Sequence, residues 1–197
     1  MCGIYGWSMK PGRKPDPTLI VQLAQRNDRR GPHAFGFAWR TEKGGVGHYK
    51  QPGSIAHNLR ELRPLGGASS AIVHTRWATM GDPQENANNH PFEITTDKLL
   101  VANGTLTDVD TMVDDYGLRM RTDCDSEAIA RRFAQRRIRK LGLRLAASIE
   151  DALQYTSKAA LSAAVLTDSA LAVVRAGKPL WYLPTWEGTY FSSLPGV

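Results

Sequence analysis

Strand-like segments lie at both ends of this chain, and helix-like segments lie between them. Short runs rich in β-branched, aromatic or alternating apolar residues, bounded by turn residues, predict strands. These runs cover 3–7, 35–39, 47–50, 71–74, 99–102, 162–167, 170–176, 180–183 and 189–193. Helical periodicity follows residues 18–29. Strands on either side of a helical region favour a layered α+β fold.

Capping residues indicate where two further helices begin. Asp125 and Ser126 can each accept a hydrogen bond from a backbone N–H group in a first helical turn. Ser148 and Asp151 have the spacing of a capping box, with Asp in place of Glu or Gln. We therefore predict helices that start near Asp125 and at Ser148. Residues 79–91 are rich in Gly, Pro and Asn, which predicts a loop.

The length of 197 residues fits one domain, which we expect to span residues 1–197. Hydrophobic residues make up 42% and charged residues 22%, close to the average for soluble globular proteins. No stretch approaches the roughly 20 apolar residues that cross a bilayer, and the start of the chain lacks the pattern of a signal peptide. The two cysteines do not make a disulfide framework. We therefore expect a cytoplasmic, single-domain protein without a membrane span.

The net charge of +6 is concentrated in the segment 131–144. Its basic residues are Arg131, Arg132, Arg136, Arg137, Arg139, Lys140 and Arg144. Such a run can contact nucleic acid or an acidic partner protein. Charge runs more often form a solvated helix face, and we favour that interpretation. Only Phe133 interleaves with the arginines, so a surface for stacking nucleotide bases is not indicated.

The residue after the initiator methionine carries a specific chemical signal. Cys2 has a small side chain, so removal of Met1 is expected and leaves Cys2 with a free α-amino group. That amine has an ordinary pKa of about 7.7–8.0 and the thiol one of about 8.5. One residue then holds both a nucleophile and a base, which can attack a carboxamide and form a thioester that water opens. Taken alone, however, Cys2 is more often an incidental cysteine.

Further motifs follow Cys2 along the chain. They are Met1-Cys2-Gly3-Ile4, Arg30-Gly31-Pro32-His33-Ala34-Phe35-Gly36, His74-Thr75-Arg76-Trp77-Ala78-Thr79, Asn88-Asn89-His90-Pro91-Phe92, Ala102-Asn103-Gly104-Thr105-Leu106, Asp123-Cys124-Asp125-Ser126-Glu127 and Tyr190-Phe191-Ser192-Ser193-Leu194. Together and in this order they resemble the glutaminase domain of the class II glutamine amidotransferases, whose nucleophile is an N-terminal cysteine. The resemblance implies the four-layer αββα sandwich of the N-terminal-nucleophile hydrolases. It also implies hydrolysis of the side-chain amide of glutamine.

The resemblance implies roles for two pairs of residues. Arg76 offers a planar fork that suits the α-carboxylate of glutamine, and Asp125 can accept a hydrogen bond from its α-ammonium group. Asn103 and Gly104 supply N–H donors to the oxyanion of a tetrahedral intermediate. Considered separately, each has a plainer interpretation. Arg76 can form a surface ion pair, Asp125 can cap a helix, and Asn103–Gly104 can be an ordinary turn.

Three more residues complete the site that the resemblance implies. Arg30 lies near the nucleophile in the family and helps to fix the N-terminal residue. Trp77 and Thr79 begin a mobile loop that closes over glutamine, although Trp77 can equally belong to the core. Two positions depart from the family pattern, because His33 stands where Asp is common and Ala102 stands where some members have His. Both departures affect the surroundings of the site rather than the nucleophile or the oxyanion donors.

The remaining candidate residues favour structural roles. His74 is more often a hydrogen-bonded structural residue than a ligand. The five histidines show no spacing typical of a metal site, so we expect neither a metal nor a cofactor. Cys124 has no activating neighbour in the sequence, and we expect it to be a packing residue.

The proposed chemistry requires a substrate and an acceptor. Family members generally carry a second domain that receives ammonia, and this sequence has no Gly-rich phosphate loop or phosphosugar domain. We therefore expect L-glutamine as the substrate and a separate synthase or transferase as the ammonia acceptor. Two alternatives stay open. One is a free-standing γ-glutamyl amide hydrolase, and the other is a non-catalytic binding or structural module, which a retained Met1 would favour.

Overall fold

The computed structural model describes residues 1–41 and 43–196, which form two antiparallel sheets flanked by helices. The strands are β1 Gly3–Met9, β2 Ala34–Arg40, β3 Val46–Pro52, β4 Ser70–Arg76, β5 Phe92–Thr95, β6 Lys98–Asn103, β7 Leu161–Thr167, β8 Leu171–Ala176, β9 Trp181–Pro184 and β10 Gly188–Ser192. The α-helices are α1 Pro17–Asp28, α2 Val109–Tyr116, α3 Ser126–Gln135 and α4 Leu141–Leu153. Short 3-10 segments cover Ile55–His57, Leu59–Gly67 and Asn86–Asn88.

The two sheets pack face to face, and helices cover their outer faces. The six-stranded sheet has the order β3-β2-β4-β1-β10-β9, and the four-stranded sheet has the order β5-β6-β7-β8. Ile4, Ile72 and Val101 belong to the apolar layer between them. On one outer side α1 packs through Leu23, and on the other α2, α3 and α4 pack around Phe133. The order of layers is helix, sheet, sheet, helix, which confirms the predicted four-layer α+β sandwich.

Strand β1 is buried on both faces because it lies inside the six-stranded sheet, between β4 and β10. Side chains alternate along a strand, so Ile4 faces the other sheet while Tyr5 and Trp7 face α1. A Cβ at Gly6 would lie 2.2 Å from the Ala71 carbonyl oxygen. Only glycine fits at that position without a shift of the neighbouring strand.

The predicted start of the last helix is wrong. Helix α4 begins at Leu141, and Ser148 lies within it, where its Oγ donates a 2.8 Å hydrogen bond to the Arg144 carbonyl. Asp151 does not cap a helix, because its carboxylate accepts hydrogen bonds from arginines of α3 and the α3–α4 connection. In contrast, α3 begins at Ser126 after Asp125, as predicted. Helix α2 was not predicted from the sequence.

The arginine-rich segment ties α3 to α4, so the prediction of a solvated helix face is wrong for several of its members. Arg131 pairs with Glu127, and Arg132 binds Asp151 at 2.6 Å. Arg136 binds the same carboxylate with its Nε at 3.1 Å. Residues exposed in this segment include Arg137, Arg139 and Lys140. Within residues 1–41 and 43–196, no helix combines the length and the apolar composition that crossing a bilayer requires.

We predict that Asp151→Ala lowers the free energy of unfolding by about 1–3 kcal/mol, because it leaves two arginines without their shared carboxylate. Chemical denaturation would measure the change. The matched control is Glu150→Ala, which removes an exposed carboxylate from the same helix and should change stability by less than about 0.5 kcal/mol. Equal losses in both variants would contradict a stabilising role for the Asp151 pairs.

Because of the Asp151 carboxylate, we expect the free energy of unfolding to depend on pH. Burial raises the pKa of Asp151, but hydrogen bonds from Arg136 and Arg132 outweigh it and leave that pKa below its ordinary value. The contribution to stability is therefore present above the unfolded-state pKa of about 3.9 and is lost as the pH falls through the lower folded-state pKa. We expect the difference in unfolding free energy between the parent protein and Asp151→Asn to shrink below about pH 4. Denaturation at pH 3 and at pH 7 would measure it.

Candidate active site

Cys2 directly precedes Gly3, the first residue of β1, and so lies at one end of a central strand of the six-stranded sheet. Its thiol is half-buried beside the backbone of Trp77, with the Trp77 N–H donating to Sγ at 3.4 Å and Sγ lying 3.5 Å from the Trp77 oxygen. Burial raises the pKa of this thiol above its ordinary value, and the Trp77 hydrogen bond and the Arg76 charge offset part of the rise. The thiol is therefore protonated at neutral pH and requires a base before it can attack.

Asn103 and Gly104 lie at the end of β6, in the other sheet. The Asn103 side chain is buried, and its Nδ2 has no hydrogen-bond partner among the described residues. Gly104 has φ 155°, and a Cβ there would lie 2.1 Å from Leu161 Cδ2 and 3.0 Å from the Ala160 oxygen. A side chain at this position would force the Leu161 side chain to move and would strain the backbone at this positive φ, so glycine suits the close approach of the two backbones.

The start of β1 and the end of β6 meet at a cleft of about 250 Å³. Its lining residues are Met1, Cys2, Trp77, Thr79, Asn103, Gly104, Thr105 and Lys178. The fold thus brings together the predicted nucleophile, both predicted oxyanion donors and two residues of the predicted loop. A buried amide donor without a partner beside a thiol is an arrangement that can bind a carbonyl oxygen.

Arg76 lies at the end of β4 but does not line the cleft. Its buried guanidinium donates to Asn89 Oδ1 at 2.8 Å and to the carbonyl oxygens of Met80 and Gly81, the latter at 2.9 Å. These bonds hold the loop that follows β4. The sequence prediction did not anticipate them, because partners of a guanidinium cannot be deduced from local spacing.

Asp125 connects α3 to the segment after Gly104. One carboxylate oxygen accepts from the Ser126 N–H at 2.8 Å, which is the predicted cap. The other accepts from the Leu106 N–H at 2.7 Å. Burial raises the pKa of this carboxyl, and the hydrogen bonds from Leu106 and Ser126 oppose the rise. Asp125 thus positions the segment that carries the candidate oxyanion donors.

Arg30, Trp77 and Thr79 surround the nucleophile. Arg30 donates from Nε to the Cys2 carbonyl at 2.8 Å, so it holds the backbone of the N-terminal segment. Trp77 is 45% exposed, so the alternative that it belongs to the core is wrong. His33 packs against Trp77 with ring centroids 4.7 Å apart, and its Nδ1 accepts from the Ala78 N–H at 3.1 Å. His33 therefore supports the start of the loop.

Two buried histidines lie behind the site. His74 Nε2 is 3.0 Å from the Ala102 carbonyl oxygen, as predicted for a structural histidine, and its ring stacks on His90 at 3.8 Å. Burial lowers the pKa of His74 to about 3, so its ring is neutral. Cys124 is buried, as predicted for a packing residue. Among residues 1–41 and 43–196, no three His, Cys, Asp or Glu side chains converge as a metal site.

Sequence reasoning missed Lys178, which lines the cleft from the connection between β8 and β9. No motif surrounds this residue, and the last strand-like segments showed only alternating apolar residues. The signal for it exists only in the tertiary contacts. Asn89 is part of a recognised motif, and its bond to Arg76 gives it a role in the loop that the sequence did not predict.

Comparison with curated proteins finds relatives among sugar-phosphate aminotransferases. The chain is 32% identical over 133 residues to a glutamine–fructose-6-phosphate aminotransferase of Halalkalibacterium halodurans, which covers 66% of this chain and 21% of that protein. It is also 32% identical over 188 residues to the enzyme of that name from Rhizobium meliloti, which covers 91% of this chain and 29% of that protein. The chain thus spans about a fifth of the length of the first curated relatives it matches. No protein-family model matches it.

Solved structures share the fold. A glutamine phosphoribosylpyrophosphate amidotransferase from B. subtilis superposes with a TM-score of 0.75 at 19% identity, covering 98% of this chain and 42% of that one. A glutamine aminotransferase class-II domain protein from Silicibacter pomeroyi superposes with a TM-score of 0.67 at 16% identity, covering all of this chain and 90% of that one. The motifs from Cys2 onward, the relatives' sequences and the shared sandwich agree, and the chain belongs to the class II glutamine amidotransferases.

Proposed function

We propose that this chain hydrolyses the side-chain amide of glutamine through a thioester on Cys2, after Met1 has been removed. The observation that carries the proposal is the unpartnered, buried Asn103 Nδ2 beside the cleft that holds the Cys2 thiol. Glutamate and ammonia are the products. The substrate side chain enters the cleft between Trp77 and Gly104.

The first half of the reaction forms the thioester. The neutral α-amino group of Cys2 takes the thiol proton, and the thiolate attacks the carboxamide carbon. The oxygen becomes an oxyanion, which accepts hydrogen bonds from Asn103 Nδ2 and the Gly104 N–H. Collapse breaks the C–N bond, and the ammonium proton of Cys2 passes to the leaving nitrogen, so ammonia departs.

The second half regenerates the enzyme. The α-amino group takes a proton from water, and the hydroxide attacks the thioester carbonyl. The same two donors stabilise the second oxyanion. The carbon–sulfur bond breaks, the thiolate recovers the proton, and glutamate leaves.

Recognition of the amino-acid end of glutamine falls to Arg76 and Asp125 in this proposal. A guanidinium has five N–H donors, and Arg76 uses three hydrogen bonds on the loop, to Asn89, Met80 and Gly81. Donors therefore remain for an α-carboxylate. The Asp125 carboxylate can accept from the α-ammonium group while it caps α3. Trp77 and Thr79 begin the loop that closes over the bound substrate.

Ammonia passes to an acceptor on a separate synthase or transferase. Support for an acceptor comes from the relatives, which are named as glutamine–fructose-6-phosphate aminotransferases. We place the protein in the cytoplasm, where its two free cysteines stay reduced.

We predict that the purified protein has the mass expected without Met1 and gains one adduct with 6-diazo-5-oxo-norleucine, a glutamine-like alkylating agent. Intact mass spectrometry measures both. Cys2→Ala should abolish the adduct, whereas Cys124→Ala, at the other cysteine, should keep it. Retained Met1 without an adduct would contradict the enzymatic proposal and favour a binding or structural role. Turnover of a γ-glutamyl amide in preference to glutamine would instead favour the free-standing hydrolase.

We predict that Asn103→Ala lowers kcat for glutamine hydrolysis by about 10²–10³. The melting temperature should change little, because Nδ2 makes no hydrogen bond among the described residues that the substitution could remove. Gln84→Ala is the matched control, since it removes an exposed side-chain amide of the loop that makes no hydrogen bond among the described residues, and it should leave kcat unchanged. Steady-state kinetics and a thermal melt of both variants test this. A kcat within about threefold of the parent would contradict the oxyanion role.

A further inference from the structure

Lys178 lines the cleft of Cys2, and the proposed reaction does not use it. It lies in the connection between β8 and β9, outside the recognised motifs. Lys178 is half-buried, and within residues 1–41 and 43–196 it makes no hydrogen bond or ion pair. Its positive charge is thus free to act on the site.

The fold holds the backbone of Lys178 beside the oxyanion segment. Gly177 has φ 83°, and a Cβ there would lie 2.9 Å from Ala160 Cβ. Ala160 also limits Gly104, where a Cβ would lie 3.0 Å from the Ala160 oxygen. The two glycines therefore pack their backbones on the same residue, which fixes the position of the connection that carries Lys178.

Positively charged side chains outnumber negatively charged ones around the N-terminus. Arg30, Lys178 and Arg76 are the cations that act on the terminal amine or the adjoining thiol, and Asp125 is the carboxylate. Arg30 is bonded to the Cys2 carbonyl and Arg76 to its loop. The residues that line the cleft include no carboxylate that would neutralise Lys178. The thiol of Cys2 is the remaining titratable group in direct proximity.

These surroundings lower the pKa of the terminal amine in the chain that still carries Met1. Burial lowers the pKa of the Met1 amino group, and the charges of Arg30 and Lys178 lower it further, against an opposing effect of the Cys2 thiol. Removal of Met1 transfers the terminal amine to Cys2, which lines the same cleft. An unperturbed amine of pKa about 7.7–8.0 is mostly protonated at neutral pH and cannot act as a base.

We propose that Lys178 is a positioning residue whose charge keeps the α-amino group of processed Cys2 in its neutral, proton-accepting form. The inference rests on the proposed glutamine hydrolysis. When two amines lie near each other, the positive charge of one disfavours protonation of the other. The effect falls mainly on the weaker base, and an α-amino group is a weaker base than a lysine side chain.

The test is the pH dependence of kcat/KM for glutamine in the processed protein. Lys178→Gln should shift the acidic limb upward by about half a pH unit, with activity about threefold lower at pH 7 and recovered above pH 9. Lys178→Glu should shift it by about one unit, and Lys178→Arg should restore the parent profile. The matched control is Lys158→Gln, which removes an exposed lysine that does not line the cleft and should leave the profile unchanged.

A second readout does not depend on turnover. In processed Cys2→Ala protein, which has no thiol that could pass an acetyl group to the amine, trace acetylation of the α-amino group with acetic anhydride across the pH range reports the titration of that amine. Mass spectrometry of the N-terminal peptide measures the acetylation. The midpoint of that titration should be lowest with Lys or Arg at position 178, higher with Gln and highest with Glu.

An unchanged midpoint in Lys178→Glu would overturn the inference while glutamine hydrolysis by the parent stands. A raised KM with an unchanged pH profile would also overturn it, since Lys178 would then be a substrate contact. A processed parent that does not hydrolyse glutamine would contradict the proposed function itself.

Discussion

Packing of the two sheets against each other is the interaction on which the site depends. Ile4 of β1 and Val101 of β6 contribute to one buried apolar layer, although they belong to different sheets. Burial of that layer removes apolar surface from water, and close packing admits few alternative alignments. The alignment sets the start of β1 beside the end of β6. Cys2 and Asn103 are neighbours in space for that reason.

Buried polar groups organise the segments around the cleft. Burying a charge is costly unless hydrogen bonds satisfy it, and Arg76 and Asp125 meet this condition with backbone partners in the loop after β4 and the segment after β6. Both residues therefore shape the site before any substrate arrives. Asn103 Nδ2 differs, because it is buried without a partner. An unsatisfied buried donor costs about 1–3 kcal/mol, a cost that a ligand's oxygen can offset.

Local signals predicted much of the secondary structure, and long-range contacts account for the errors. The start of α3 was predictable because the Asp125 carboxylate bonds the adjacent Ser126 N–H. The start of α4 was not, because Asp151 has the spacing of a cap but binds Arg132 instead. Capping spacing cannot distinguish these two uses of a carboxylate. The same contacts explain why the arginine-rich segment is partly a helix–helix contact rather than a solvated face.

The sequence by itself determined the layered α+β fold class and the order of the motifs, because periodicity, capping and motifs are local properties. The resemblance of those motifs to a family singled out Cys2 as the candidate nucleophile. Tertiary structure alone decided which of these residues share a cleft. It placed Arg76 behind the loop, exposed Trp77 beside the thiol and brought Lys178 to the N-terminus. The physical reason is that side chains far apart in sequence meet only where apolar burial aligns the two sheets.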